Sequence, residues 1–96
     1  MKTLSEIKST LARNRSKLFS EYPIESLAIF GSYARNDANN RSDLDLLVEF
    51  NDKIGVKFID LAYELEELMD LKVDLVSKKG VKEKYLKAIE QDLIYV

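Results

Sequence analysis

The chain contains neither cysteine nor histidine. The first absence excludes disulfides, thiolate metal sites and cysteine nucleophiles together. The second removes the usual general base, the serine–histidine triad and most zinc sites. Any chemistry must therefore run on carboxylates, hydroxyls, Lys and Arg, with hard cations as the natural metals. Long hydrophobic runs are missing as well, since stretches such as Leu46-Leu47-Val48 fall far short of the ~20 residues that span a bilayer. The opening Met1-Lys2-Thr3-Leu4-Ser5-Glu6 has neither the apolar stretch nor the cleavage site of a signal peptide. A net charge of −2 gives no broad basic footprint for direct binding of nucleic acid. The expectation is a soluble cytoplasmic protein with no membrane association.

What is present reads as a single domain over residues 1–96, 46% apolar and 33% charged, which is ordinary globular composition. Thr3 with Glu6 three residues on forms a capping box, and Leu4, Ile7, Leu11 and Leu18 follow at helical spacing, with Ala12 and Phe19 beside them. Pro23 closes this helix, because proline disfavours helical geometry in the residue before it. Ser26 to Phe30 has the length and character of a strand. Asp43 to Phe50 predicts a second, with Leu44, Leu46, Val48 and Phe50 on one face. Phe58, Leu61, Ala62, Leu65, Leu68 and Met69 trace a helical stripe, and Val73 to Ser77 alternates as a third strand. Val81, Tyr85, Ala88 and Ile89 mark a last helix, and Leu93 to Val96 reads as its frayed end or a short edge strand. The link from Gly31 to Ser42 is too short for a helical crossover and its return, so the first two strands run antiparallel. The helix before the third strand allows a parallel crossover. The fold class is α+β, a small mixed sheet with helices packed on one face.

Three features then converge. Gly31-Ser32 follows the first strand, ten residues separate Ser32 from Asp43, and Asp43-Leu44-Asp45 opens the second strand. Side-chain alternation puts Asp43 and Asp45 on the side opposite the leucines. The antiparallel return brings Gly31 and Ser32 beside that start, and a parallel third strand puts Asp74 at the same end of the sheet. Neighbouring strands lie ~4.8 Å apart, so Asp74 could share a metal with Asp45. Clustered carboxylates repel, at about 4 kcal/mol for a pair 4 Å apart at an effective dielectric of 20. A divalent cation relieves this, and oxygen-only ligands select Mg²⁺ or Mn²⁺. Two such ions ~3.5–4 Å apart would activate an acceptor hydroxyl and stabilise a leaving pyrophosphate. The Gly31-Ser32 corner would offer backbone N–H groups and a hydroxyl to a nucleoside triphosphate.

Gly-Ser, ten residues, Asp-x-Asp and a later Asp in a strand resembles the polymerase-β-like nucleotidyltransferase superfamily. Phe30-Gly31-Ser32-Tyr33-Ala34-Arg35 is most similar to its minimal nucleotidyltransferase (MNT) branch. Four specified residues at fixed spacing arise by chance in a chain of this length with odds on the order of one in a thousand. The resemblance spans the chain from the first helix through Asp74. It implies Asp43 and Asp45 as ligands of both metals, and Asp74 as a third carboxylate on the catalytic ion that helps deprotonate the acceptor. It implies Gly31 and Ser32 as the triphosphate corner. It further implies an α-helical HEPN-domain partner in a hetero-oligomer, with the chain acting as antitoxin by adding AMP from ATP to a tyrosine of that toxin. One departure is Asn36, where relatives often carry glycine after the arginine.

Other readings stand beside this one. Asp-x-Asp alone says little, since Asp43 could simply begin a strand, and Asp74 alone could be a solvated strand residue. Arg35, three residues after Ser32, could reach phosphate or balance Asp43. Glu49 lies further from the sheet end and reads as solvated or paired. Tyr33 reads as packing rather than nucleotide stacking, and the lysine-rich run from Lys78 to Lys84 as a solvated helix start. The whole chain could be a binding module that neutralises a partner by docking alone, or a nucleotidyltransferase acting on a small molecule. A docking module, however, has no use for three carboxylates and a Gly-Ser corner, and the small-molecule reading lacks the extra domain expected of it.

Overall fold

A computed structural model describes residues 1–96. Helix α1 (Leu4–Glu21) starts at the capping box, where the Glu6 backbone N–H donates to Thr3 Oγ1 at 3.1 Å and the Thr3 N–H donates to Glu6 Oε1 at 3.3 Å. It is followed by β1 (Ile24–Phe30), a single helical turn α2 (Gly31–Ala34), and β2 (Leu44–Phe50). Then come α3 (Lys57–Met69), β3 (Val73–Ser77), a 3₁₀ turn at Lys78–Gly80, α4 (Glu83–Glu90) and β4 (Ile94–Tyr95). No helix is long and apolar enough to cross a membrane.

The four strands form one sheet in the order β3-β2-β1-β4. β1 pairs antiparallel with β2 and with β4, while β2 pairs parallel with β3. The α+β class and mixed sheet are those the sequence implies. The closing residues resolve into an edge strand rather than a frayed helix, with Ile94 opposite Ile29 and Tyr95 opposite Ala28.

One face of the sheet carries Leu27 and Ile29 from β1 with Leu44, Leu46 and Val48 from β2, all at most 1% exposed. Ile7, Leu11 and Leu18 of α1 and Leu61, Leu65 and Met69 of α3 pack on it, forming a single core cluster. Ala12 is exposed, so the inward stripe of α1 is narrower than its apolar residues suggest.

The other face is not bare. Ala28 and Leu47, paired with each other, are buried yet lie outside that core cluster. β3 lies at one edge of the sheet and β4 at the other, so the chain joining them must cross it. Ala88 and Ile89 of α4 line a cavity together with Phe30 and Asp45, which puts α4 on this second face. Within α4 the half-buried residues are Leu86 and Ile89, whereas Tyr85 is 55% exposed and Ala88 is also exposed.

Candidate active site

The site is built on one rung of the sheet. Phe30 is the register partner of Asp45, and Asp45 is the register partner of Asp74. The end of β1, the start of β2 and the start of β3 therefore meet, and the chain turns out of β1 into Gly31-Ser32 at that point. Because Asp45 alternates with Leu44 and Leu46, its carboxylate lies on the face away from the main core. Asp43 sits just ahead of β2 and is exposed, Asp45 is partly buried, and Asp74 is exposed.

Gly31 is fixed by two constraints. Its φ of +74° lies in the region L side chains avoid, and a Cβ built there would run into the Asp45 carboxylate, 3.0 Å from Cγ. The glycine thus lets the α2 backbone close against the carboxylate. Ser32 follows on the single turn of α2, whose first residues offer N–H groups free of helical partners. Tyr33, 3% exposed, packs into the core, as its sequence reading had it.

Electrostatically the rung is strained. Burial, and then the negative charges of Asp74 and Asp43, push the Asp45 carboxyl up to about 6, and the Asp45 and Asp74 carboxylates lie within hydrogen-bonding reach. Arg35 pulls in the opposite direction without prevailing. A site that makes a carboxyl hold its proton near neutrality is one where a cation can replace that proton. The donor set is all carboxylate oxygen, which fits Mg²⁺ or Mn²⁺. In this conformation no group of three carboxylates is arranged as a ready-made cation cage. Asp45 and Asp74 form the close pair, with Asp43 flanking it.

Arg35 does not balance Asp43. Its Nε donates to Asp37 Oδ2 at 3.2 Å and its Nη1 to Asp92 Oδ2 at 3.3 Å, so its charge is balanced by those residues and not by Asp43. Hydrogen bonds to Asp37 and Asp92 push the guanidinium's proton affinity up, so it stays charged. It still borders the cavity of about 360 Å³ that Gly31, Ser32 and Asp45 line. Asp92, Ala88 and Ile89 complete that cavity, and the sequence singled out none of them as site residues. No local motif marks them, because they reach the site only through the crossing of α4. Glu49 is paired, with Lys78 Nζ at 3.7 Å and the Ser26 hydroxyl at 3.4 Å.

Asn36, the departure from the pattern, has φ +63°. Glycine and asparagine are the two residues that most readily accept this left-handed conformation, so the backbone need is the same with either. A third group with shifted proton affinity, Tyr22, lies elsewhere, at the C-terminal cap of α1. Burial and a 2.9 Å hydrogen bond to Glu64 push its phenol up to about 12, and it ties α1 to α3.

Comparison with known proteins accords with this geometry. Residues 8–96 match the family model of the nucleotidyltransferase domain, and the chain belongs to that family. Within it, the chain is of the minimal nucleotidyltransferase type. It is 38% identical to the protein adenylyltransferase MntA of Thermococcus cleftensis, over all of this chain and 98% of that one. It is 49% identical to a Methanocaldococcus jannaschii chain named as a candidate protein adenylyltransferase, over the full length of both. A solved structure described as a candidate minimal nucleotidyltransferase superposes with a TM-score of 0.76 at 30% identity, covering 92% of this chain and 93% of that one. The fold is also that of an MNT antitoxin solved in complex with the tri-AMPylated HEPN toxin of Shewanella oneidensis. There the TM-score is 0.67 at 20% identity, over 93% of this chain and 70% of the solved chain.

Proposed function

We propose that this chain is a cytoplasmic protein adenylyltransferase that moves AMP from ATP to a tyrosine hydroxyl of a HEPN-domain toxin and so acts as its antitoxin. The observation that carries the reading is the single rung joining Phe30, Asp45 and Asp74. It sets the Gly31-Ser32 corner against the Asp45–Asp74 pair, where burial and neighbouring negative charge raise the Asp45 carboxyl to about 6.

In this reading Gly31 and Ser32 bind the β- and γ-phosphates through backbone N–H groups and the serine hydroxyl, and Arg35 adds charge at the same wall. Asp43, Asp45 and Asp74 hold Mg²⁺, two ions in the full site, with Mn²⁺ as a substitute. The bound metal supplies charge neutralisation at the transferring phosphate and at the departing pyrophosphate. Asp74, the more exposed member of the close pair, takes the proton of the acceptor hydroxyl. The hydroxyl oxygen bonds to the α-phosphorus, the bond to the bridging oxygen of the pyrophosphate breaks, and pyrophosphate leaves. The names of the relatives support protein as the acceptor class, and the solved complex of the Shewanella pair supports a HEPN partner.

The test is intact-mass measurement of a HEPN partner, beginning with any product of a neighbouring gene, after incubation with this protein, Mg²⁺ and each triphosphate in turn. The expected result is a gain of one or more AMP masses, with ATP preferred and the sites mapping to tyrosine. Full neutralisation of the partner with no gain in mass would replace this reading with docking alone.

A further inference from the structure

The site contains a contact that the phosphate and metal assignments do not use. Asp92, in the turn between α4 and β4, accepts from Arg35 across the mouth of the nucleotide cavity. We infer that Asp92 is a positioning residue, which holds the Arg35 guanidinium in the orientation that meets the triphosphate and anchors the end of α4 as a wall of the nucleotide site. This rests on the nucleotidyltransferase reading above and concerns how its donor site is made.

Four observations support it. Arg35 stands at the end of α2, its backbone N–H bonded to Gly31 O at 3.0 Å, so its stem belongs to the triphosphate corner while its head is nearly half exposed. Left to itself such a side chain would sample many rotamers, and ordering it on binding would weaken affinity. Two carboxylates remove that freedom. Asp37 takes Nε and Asp92 takes Nη1, which fixes the plane of the guanidinium and leaves Nη2 committed to neither. The two also differ in origin, since Asp37 is two residues from Arg35 and Asp92 is 57 residues away. Only the second can register the arginine against another element.

The placement of α4 gives that registration a purpose. No residue of α4 is buried, and its half-buried Leu86 and Ile89 lie outside the main core cluster, so the helix is not a core element. Ala88, Ile89 and Asp92 nonetheless line the same cavity as Ser32 and Asp45. Asp92 therefore joins two tasks: it orients the charged group, and it ties the apolar wall to α2.

The experiment measures binding of a non-hydrolysable ATP analogue with Mg²⁺ to wild type, Asp92→Ala, Asp92→Glu, Arg35→Ala and the Arg35→Ala/Asp92→Ala double variant. Thermal melts of each variant without ligand separate affinity from folding. Asp92→Ala is expected to weaken binding about three- to tenfold, the scale of an ordered charge-assisted contact, while Asp92→Glu restores most of the loss. In the Arg35→Ala background, removal of Asp92 should change affinity by less than about twofold, because the two act as one unit. Unchanged or tighter binding by Asp92→Ala overturns the inference. So does an equal loss in both backgrounds, since Asp92 would then act on something other than Arg35. If wild type itself fails to bind the analogue, the nucleotidyltransferase reading falls and takes this inference with it.

Discussion

Asp45 carries opposed demands that a single residue rarely meets by accident. It is partly buried, faces Asp74 and Asp43, and abuts a glycine that no other residue could replace without collision. An ordinary aspartate releases its proton near 3.8, whereas this one does so at about 6 in the folded chain. Between those values the folded state holds the proton and the unfolded chain does not. Metal-free stability therefore falls as pH rises from about 4 to 6, and the loss is complete above the folded value. Asp45→Asn removes the charge and keeps the shape, so it should stabilise the metal-free protein by about 1–2 kcal/mol at pH 7, after allowance for solvent screening. It should also flatten that pH dependence. Mg²⁺ with nucleotide should raise the melting temperature of wild type and leave that of the variant almost unchanged. Thermal melts at pH 4, 6 and 7.5, with and without Mg²⁺ and nucleotide, check all three. A variant no more stable than wild type, with its full metal response retained, would remove Asp45 from the cation site.

At the scale of elements, the turn after β1 shows how the chain spends conformational freedom where the site needs it. Gly31 enters α2 at φ +74° and Asn36 leaves the corner at φ +63°, so both ends of the Gly-Ser turn are left-handed. The Asn36 N–H is bonded to Tyr33 O and the Asp37 N–H to Ser32 O, which locks the exit. Asn36→Gly should be neutral or slightly stabilising, whereas Asn36→Ala should cost about 1 kcal/mol through strain in the left-handed region. Denaturant unfolding of the pair distinguishes them, and equal stability would mean that the corner relaxes into another conformation. The same elements show what a sequence discloses. The capping box, the limits of β3 and the Asp45–Asp74 neighbourhood were readable because each rests on local chemistry or on strand period. Burial of Ala28 and Leu47 was not drawn from alternation alone, although the unbroken Leu46-Leu47-Val48 is the kind of run that a strand covered on both faces carries. Of the residues that mark α4 in the sequence, Ile89 is half-buried but Tyr85 and Ala88 are exposed, and the path of the chain across the second face turned Leu86, which the pattern did not mark, inward beside Ile89. Asp92 was invisible for the same reason. Its partner is 57 residues away, and no spacing rule reaches that far.

The whole molecule measures 33 × 31 × 19 Å, a thin slab with its chemistry at one end of the sheet. One sheet with helices against each face can bind a triphosphate at a corner, but it encloses little else, and the cavity beside Asp45 is only about 360 Å³. Orientation of reactants can supply ~7–11 kcal/mol of a barrier, and this site has no second wall with which to hold an acceptor. On the proposed antitoxin reading, a docked partner would provide that wall and present its hydroxyl on the side of Asp74. Free tyrosine and small alcohols should then be modified at least about a hundredfold more slowly than the partner at equal concentration, if orientation supplies even part of that range. Asp43→Asn and Asp45→Asn should abolish modification while leaving partner association within about threefold, because neither residue belongs to the core that shapes the surface. Intact mass reads the modification, and analytical ultracentrifugation or titration calorimetry reads the association. Loss of binding in both variants would mean that the carboxylates form part of the docking surface. Efficient modification of a small alcohol or antibiotic without any partner would keep the nucleotidyltransferase chemistry and refute the antitoxin role, since a site that orients its acceptor unaided has no need of a second protein.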